Sequence, residues 1–395
     1  MLSLAVLVVL AQQPLTEPDA GVDEDLDRRR QTVVTASRIE RRLEDAVIAT
    51  EVITRAQIES LGVRDVTQLL QQHPGVEMVY TQRGIGVRLQ GMDPEYVLIL
   101  VDGQRVAGRA GAFVDMSRFS LREIERVEIV KGPAAAVYGA DAIGGVINMI
   151  TRRPQKAFEG VLRGTFGTLI EGDVRGNVGS KLGPFELRAG GGYRTRNPFD
   201  WDPSDAATSL PGIKRSDADL ELAWYPIESF RIWARADYVR SDLNGIDLNG
   251  TGAIFDRFQR TEQFNTWVGG RGNLSENTTF TIRGHSGLFR DQFLLDQRNA
   301  KALDSYTASL TRLWEGYVQV DHRIGRHTLS AGVEVLSEYL TGERINPPAV
   351  SRARLGLFVQ DSWALVDHGP KLRSSPGFAP TSIRSSEARL HPGWR

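Results

Sequence analysis

The alternation of apolar and polar positions divides the chain near residue 154. Beyond that point, segments of about ten residues place an apolar side chain at every second position, as in Phe185 to Tyr193 and Phe230 to Tyr238. Charged side chains such as Arg231, Arg235 and Asp237 occupy the positions between. A period of two predicts β-strands with one apolar and one polar face. Roughly ten such strands fit between residues 155 and 365, which we interpret as one unit. The links between them predict short turns at 183–184, 228–229 and 276–277 and long loops at 197–216 and 242–260.

Short helices alternate with strands before residue 154. Thr54 and Gln57 have the spacing of a capping box, which predicts a helix ending near Gly62. Asp65 is expected to cap a second helix that stops at Pro74-Gly75. Residues 38–154 therefore predict a small α+β domain of about 120 residues. Its predicted strands are Val47–Ile53, Val76–Tyr80, Val87–Gln90 and Tyr96–Val101, the last closing on an Asp102-Gly103 turn.

The segment Glu125 to Arg153 ends this domain. Val127 and Ile129 alternate with polar residues, which predicts a strand up to Lys131-Gly132-Pro133. Residues 134–138 are long enough for one helical turn. Gly144-Gly145 then opens a second strand that ends at Ile150.

The N-terminus contains three kinds of segment. Residues 1–11 are apolar and end in a small residue, which predicts a secretory signal peptide; a buried strand or helix start is the alternative. No Lys or Arg precedes the apolar run, which indicates a start codon placed late. Residues 12–30 carry an acidic and a basic run and predict a flexible arm. Residues 31–37 are rich in β-branched side chains and predict an extended segment able to add a strand to a partner sheet.

Composition narrows the possible functions. The 395 residues include no cysteine and have a net charge of −1, which excludes disulfides and thiolate metal sites and argues against nucleic-acid binding. No run approaches the ~20 apolar residues of a membrane-spanning helix. Gly84-Ile85-Gly86 fails as a dinucleotide motif because Leu89 holds the third glycine position. The histidines, including His73 and His285, are scattered, so we expect neither an enzyme nor a cofactor or metal site.

The residues from Gly132 onward resemble the end of the plug domain of TonB-dependent outer-membrane receptors. Tyr138-Gly139, Asp141-Ala142 and Gly144 to Thr151 carry the resemblance, and further matches occur at Arg83-Gly84, Arg88 to Gly91 and Leu98 to Gly103. The resemblance implies an α+β plug followed by an antiparallel transmembrane β-barrel in the outer membrane of a Gram-negative bacterium. Alternation alone also fits a soluble β-sandwich, and the preceding plug favours the barrel.

The resemblance also implies a function. Such receptors take up a metal chelate, either a ferric siderophore or cobalamin, and we rank iron chelates first, cobalamin second and haem third. The implied partners are TonB with its ExbB-ExbD energy-coupling complex, the metal chelate and outer-membrane lipid. Two alternatives remain: a plug-type ligand-binding module without transport activity, and a secreted enzyme with a β-sandwich domain.

Three sets of site residues follow from the resemblance. Each has a simpler structural alternative: a first plug strand for the TonB-binding set, ordinary strand-surface charge for the plug–barrel contacts, and solvated loop surface for the ligand-binding set. The expected TonB-binding residues are Thr32, Val33, Val34, Thr35 and Ala36. The expected plug–barrel contacts are Arg88 and Arg126, pairing with barrel glutamates. The expected ligand-binding residues are Gln82, Arg83, Arg109, Phe113 and Trp201.

The last segment departs from the family pattern. Residues 366–395 contain four prolines between His368 and Arg395 and no alternating strand. Plugged transporter barrels have about 22 strands, more than twice the number predicted here. We therefore expect a partial barrel followed by an aberrant or truncated tail, from a truncated or frameshifted product; a genuine short tail is the alternative.

Overall fold

The computed structural model describes residues 50–363 except 64, 82, 110–112, 133–137, 169–170, 203 and 344–347, together with the backbone of residues 4–8, 32–33 and 41–42. Several predictions from the sequence lie outside these residues. They concern the arm at 12–30, Val34, Thr35 and Ala36 of the TonB-binding segment, Gln82, the helical turn at 134–137 and the tail at 366–395.

Three short strands precede the first domain: β1 (Leu4–Val8), β2 (Thr32–Val33) and β3 (Arg41–Arg42). β2 and β3 pair in antiparallel fashion, with Thr32 opposite Arg42. The first residues of the segment predicted to bind TonB are thus extended. β1 lies antiparallel to the first strand of a large sheet, with Leu4 opposite Phe166. The secretory signal and the TonB-binding role stay predictions.

Two helices begin at the predicted caps. In α1 (Arg55–Leu61), the Thr54 hydroxyl accepts a hydrogen bond from the Gln57 backbone, and Thr54 N donates to Gln57 Oε1 at 2.8 Å. Gly62, at φ +63°, ends this helix. In α2 (Val66–Leu70), the Asp65 carboxylate accepts from the Gln68 backbone at 3.1 Å. Both predicted capping motifs are therefore confirmed.

Seven strands complete this domain, which we call the plug (residues 50–154). They are β4 (Thr50–Thr54), β5 (Val76–Thr81), β6 (Gly84–Leu89), β7 (Val97–Val101), β8 (Gln104–Arg105), β9 (Ile124–Lys131) and β10 (Gly145–Thr151). The central sheet has the order β4-β9-β10-β7-β8, and β5 and β6 form a separate hairpin. β7 and β10 are parallel, and their sheet neighbours are antiparallel.

The plug core lies between this sheet and the two helices. Ile53, Leu69, Met116, Ile129 and Ile147 are each at most 1% exposed. Removing side chains of this size from water contributes about 1.5–3 kcal/mol each. The plug therefore has a hydrophobic core of its own.

Ten long strands follow, and each pairs with its neighbour in chain order. They are β11 (Glu159–Gly167), β12 (Glu171–Leu182), β13 (Phe185–Arg196), β14 (Gly212–Ile227), β15 (Phe230–Leu248), β16 (Ile254–Ser275), β17 (Thr278–Gln297), β18 (Ser305–Ile324), β19 (His327–Gly342) and β20 (Ala349–Trp363). We call this antiparallel structure the large sheet. The predicted number of strands is confirmed. Within the described ranges the sheet is open, with β1 at one edge and β20 at the other.

The connections differ at the two ends of the large sheet. Two-residue turns link β12 to β13, β14 to β15 and β16 to β17, at the positions that the sequence predicts. Longer loops lie at the other end, which we call the long-loop end. The prediction of a long loop at 242–260 was wrong. These residues belong mostly to β15 and β16, and Asp242 pairs with Arg260 in the ladder. The charges there interrupt the apolar alternation without interrupting the strands.

Candidate functional site

The two faces of the large sheet differ in chemistry. The outward face carries exposed apolar side chains such as Ile232, Phe264 and Ile282. The opposite face, which we call the inner face, contacts the plug and buries polar groups. Among the buried inner-face side chains are Arg188, Arg194, Arg215, Asp219, Gln259, Gln263, Asn265, His285, Asp291 and Glu315. Burying polar groups costs free energy unless they are paired, so their partners define the site.

The densest group of charges joins the plug residues Arg122 and Glu123 to β14. The Arg122 guanidinium donates to Asp219 Oδ1 at 2.6 Å and to Asp217 Oδ2 at 3.1 Å, and it also contacts Glu123. Charge-assisted hydrogen bonds of this kind are about twice as strong as neutral ones. Arg122 thus bridges the plug to two carboxylates of the large sheet, which we also call the wall where it contacts the plug.

Glu123 faces two cations of the inner face. Its Oε2 lies 3.8 Å from Arg188 Nη2 and 3.6 Å from Arg235 Nη2. Burial raises the pKa of Glu123, but a hydrogen bond with Asp219 and the charges of Arg188, Arg235 and Arg122 outweigh it and lower the pKa to about 2. Glu123 is therefore ionised at neutral pH, and its charge is balanced by arginines from both sides of the interface.

Arg118 lies buried between the plug and β16–β17. It donates to Gln263 Oε1 at 2.8 Å and to the Gly108 carbonyl at 3.1 Å, and its guanidinium lies 4.6 Å from the Phe289 ring centroid. Burial lowers the pKa of Arg118 to about 10, so the side chain stays cationic at neutral pH. Nearby, Arg215 of β14 donates to the carbonyl and hydroxyl oxygens of Ser117. The short turn Met116–Arg118 is thus held by two strands.

Asp141 links the plug to the last described strand. Its Oδ2 accepts hydrogen bonds from Arg105 at 2.7 Å and from Arg354 of β20 at 2.8 Å. The Arg105 backbone also donates to Glu315 of β18. Burial raises the pKa of Asp141, but the charges of Arg105 and Arg354 prevail and lower it. Asp141 is an ionised bridge.

Asp65 makes a similar bridge beside α2. Arg194 of β13 donates to Asp65 Oδ2 at 3.1 Å and to Glu171 Oε1 at 3.0 Å. Burial raises the pKa of Asp65, whereas hydrogen bonds from Thr67 and Gln68 and the charge of Arg194 lower it, and the lowering prevails. Strands at both ends of the range from β13 to β20 therefore make polar contacts that hold the plug.

One glycine allows close approach. Gly108 has φ +81°, and a Cβ built there would lie 1.9 Å from Phe289 Cγ. The site tolerates no side chain, because the plug backbone touches the aromatic ring of β17. On the same strand, a Cβ at Gly287 would lie 2.4 Å from the Ala107 Cβ.

Comparison with known proteins identifies the first domain. A family model described as the TonB-dependent receptor plug domain matches residues 42–146. The chain therefore contains the plug domain of the TonB-dependent receptors. The matched family and the named relatives are receptors and transporters rather than enzymes, and the relatives and structural neighbours are of the outer-membrane type.

Two curated relatives extend the similarity beyond the plug. The receptor is 27% identical over 359 residues to an iron-regulated outer membrane virulence protein of Vibrio cholerae, covering 85% of this chain and 52% of that protein. It is 31% identical over 242 residues to the vitamin B12 transporter BtuB of Photobacterium profundum, covering 59% and 39%. The receptor spans about half the length of the first of these relatives.

Solved structures share the fold. The siderophore receptor PirA from Pseudomonas aeruginosa has a TM-score of 0.61 and 23% identity, covering 80% of this chain and 53% of that one. The ferric enterobactin receptor PfeA from the same organism has a TM-score of 0.64 and 19% identity, covering 80% and 56%. The fold, an α+β plug followed by an antiparallel barrel sheet, is the one that the sequence predicts.

The two arginines expected to contact the barrel make their described ion pairs within the receptor's plug. Arg88 pairs with Glu77 at 3.3 Å and Asp93 at 2.8 Å, and Arg126 pairs with Glu128 at 2.8 Å. Among the plug arginines, the ones described in contact with the wall are instead Arg83, Arg105, Arg118 and Arg122. Pairing of Arg88 or Arg126 with barrel glutamates stays a prediction.

The expected ligand-binding residues that the structure describes have different surroundings. Arg83 pairs with Asp291 of β17 at 3.1 Å and stacks 4.6 Å from Phe293, so it is part of the plug–wall contact. Arg109 donates to the Glu95 carbonyl, and Phe113 packs beside Gly86. Trp201 is 61% exposed and contacts Phe199 edge-on. Their ligand role stays a prediction.

Sequence reasoning missed Arg105, Arg118, Arg122 and Glu123 as interface residues. The available signal was their position beside apolar strands: Arg105 closely follows β7, and Arg122 and Glu123 directly precede β9. No group of three or more potential metal ligands occurs in the part of the receptor that the structure describes. No described helix is long and apolar enough to cross a membrane.

Proposed function

We propose that this receptor takes up a metal chelate across the outer membrane, with energy supplied by TonB and its ExbB-ExbD complex. An iron chelate is the first candidate and cobalamin the second. The names of the relatives support these two classes, since one is an iron-regulated protein and the other a vitamin B12 transporter.

The observation that carries the proposal is the polar character of the plug–wall contact. The plug has its own apolar core, whereas charged and polar groups dominate its contacts with the wall, as at Arg122–Asp219, Arg83–Asp291 and Asp141–Arg354. When such groups separate, water can hydrate them, so moving the plug costs less than exposing an apolar interface of equal area. A plug that must shift to admit a ligand needs this kind of contact.

The proposed TonB-binding segment fits strand exchange. Within the described backbone of residues 32–33 and 41–42, β2 pairs with β3 through two residue pairs, Thr32 with Arg42 and Val33 with Arg41. A ladder this short is held weakly, so a partner strand could replace it with more backbone hydrogen bonds. We assign this exchange to residues 32–36.

The proposed ligand contacts are Arg109, Phe113 and Trp201. An arginine and two aromatic rings suit an anionic chelate that contains aromatic groups, because the cation attracts its charge and the rings stack on its apolar faces. Arg83 is a weaker candidate, since Asp291 already holds its guanidinium.

The test is uptake by cells that contain the full chain and lack other iron-chelate receptors. A radiolabelled ferric tris-catecholate is the first probe, and labelled cobalamin the second. We expect Val33→Pro to bind the probe at the outer membrane but to take up none, because proline removes a backbone donor from the exchanged strand. Val33→Ala keeps that donor and should transport normally.

Three results would count against the proposal. Equal loss of binding and uptake in Val33→Pro would remove the strand-exchange role. Binding without uptake by the unaltered chain would favour the ligand-binding module. Absence of binding to either probe would reject both proposed ligand classes.

A further inference from the structure

The outward face of the large sheet has an uncharged band. The outward residues are every second residue of three runs: Phe230–Tyr238 in β15, Phe264–Gly272 in β16 and Phe280–Leu288 in β17. None of these outward residues is acidic or basic. Each run spans nine residues, or roughly 25–30 Å along a strand and less along the membrane normal because strands tilt. This matches the apolar band of an outer-membrane barrel.

Charges begin at the next outward position toward the long-loop end. Arg240, Glu262 and Arg290 lie opposite one another on three adjacent strands. The following row contains Lys214, Asp242, Arg260 and Gln292 on four strands. Arg312 of β18 lies opposite Leu288, one outward row before the first of these rows. We call these two rows with Arg312 the cationic rim, in which five cations face two carboxylates.

The carboxylates do not cover these cations. Asp242 accepts from Arg240 Nε at 3.1 Å and from Arg260 Nε at 2.5 Å, and Glu262 lies 3.7 Å from Arg290. The side chains of Arg240, Arg260 and Arg290 are nevertheless 38%, 48% and 53% exposed. Their positive charge therefore faces the surroundings of the sheet at the edge of the apolar band.

A cavity of about 580 Å³ borders the cationic rim. Lys214, Asp242, Arg260 and Gln292 line it, and so does the next outward row toward the long-loop end. That row consists of Asn244, Phe258, Leu294 and Tyr306, which lie opposite one another in the ladder. The Tyr306 hydroxyl accepts from Gln292 at 2.9 Å. Aromatic rings with polar neighbours suit a sugar ring, which has apolar C–H faces and hydroxyl edges.

The order along the sheet is thus an uncharged band, then cations, then a cavity with aromatic and polar walls. In a phosphorylated glycolipid the acyl chains are attached to sugar rings that also carry phosphate groups, so both the phosphates and the sugars lie just beyond the acyl chains. Arginine binds phosphate oxygens through paired hydrogen bonds. We propose that the cationic rim and its cavity bind the headgroup of a phosphorylated glycolipid in the outer leaflet. The proposal rests on the outer-membrane location and is independent of which ligand is transported.

The test measures lipid retention by native mass spectrometry of the full chain in non-ionic detergent. The probes are a bisphosphorylated, acylated glucosamine disaccharide and a zwitterionic phospholipid. We expect the first to bind and the second to bind at least tenfold more weakly. The double variant Arg260→Gln/Arg290→Gln should weaken glycolipid binding about tenfold. Arg298→Gln is the matched control, because Arg298 lies at the same end but pairs with Asp256 outside the two rows.

A second variant separates binding from folding. Glu262→Gln removes a carboxylate from the cationic rim, so it should tighten glycolipid binding severalfold, a gain that misfolding cannot produce. Equal affinity of the double variant and the unaltered chain would overturn the proposal, as would unchanged or weaker binding by Glu262→Gln. Displacement of the glycolipid by equimolar inorganic pyrophosphate would show a plain phosphate site and reject the headgroup.

Discussion

The carboxylate of Asp141 accepts a hydrogen bond from Arg354 at 2.8 Å, although 213 positions separate the two residues. Asp141 belongs to the motif that runs from Tyr138 to Thr151 and by which the sequence resembles its family. The same oxygen accepts from Arg105 within the plug. A motif residue therefore links the plug to β20, the outermost described strand.

Replacing Asp141 with asparagine should loosen this link. The variant leaves Arg105 and Arg354 without their shared charge, and losing a hydrogen bond to a charged group costs about 1.5–3 kcal/mol. We expect the urea concentration at the midpoint of plug unfolding to fall accordingly. Proteolytic cleavage within the plug measures this midpoint. Asp202→Asn, in an exposed loop, is the control and should leave the midpoint unchanged. Identical midpoints for the two variants would show that Asp141 does not seat the plug.

Arg122→Gln should weaken the contact between the plug and β14. Glutamine cannot reach Asp217, Asp219 and Glu123 together, so two buried carboxylates and the partly buried Asp217 would lose their common cation. We expect amide hydrogen exchange over residues 120–124 to accelerate at least tenfold. Arg88→Gln removes an arginine whose described pairs are confined to the plug surface, and it should not change exchange in that segment. Faster exchange in both variants would contradict this assignment.

Gly108→Ala tests the close approach to Phe289. Gly183 is a matched control, because both glycines have positive φ but no atom lies within 4 Å of a Cβ at Gly183. Backbone strain should affect both variants, and only Gly108→Ala adds overpacking, which typically costs about 1–3 kcal/mol. The free energy of unfolding should show this difference. In a Phe289→Ala background the extra cost should shrink, and a cost that stays unchanged would argue against contact with that ring.

The stability of the plug–wall contact should fall in acid. The pKa of Glu123 is lowered from 4.5 to about 2, so its ionised form stabilises the folded state. A depressed carboxyl pKa contributes stability above the unfolded value, and that stability is lost as pH falls from about 4.5 toward 2. The lowered pKa values of Asp65 and Asp141 act in the same direction.

Glu123→Gln should flatten this part of the pH profile. The variant is less stable at neutral pH, but its unfolding free energy should change less between pH 5 and pH 2 than that of the unaltered receptor. Glu95→Gln, on the exposed plug surface, should keep the original slope. Parallel profiles for the unaltered receptor and Glu123→Gln would refute the role of Glu123.

The sequence by itself determined the local structure. The capping residues Thr54, Gln57 and Asp65 fixed the helix starts, and alternation fixed the strands and several turns, because these features depend on neighbouring residues. The motif at Tyr138 to Thr151 was sufficient to indicate the family. Alternation failed near Asp242, where the strand continues past the apolar band.

Only the tertiary structure decided which charges meet. Arg83, expected to bind ligand, pairs with Asp291, and Arg122, unnoticed in the sequence, pairs with Asp219. These partners are separated by 208 and 97 positions. Alternation places a side chain on the inner or outward face, but its partner depends on strand register and on how the plug is oriented against the wall. Those two properties arise from packing between domains, which no local pattern encodes.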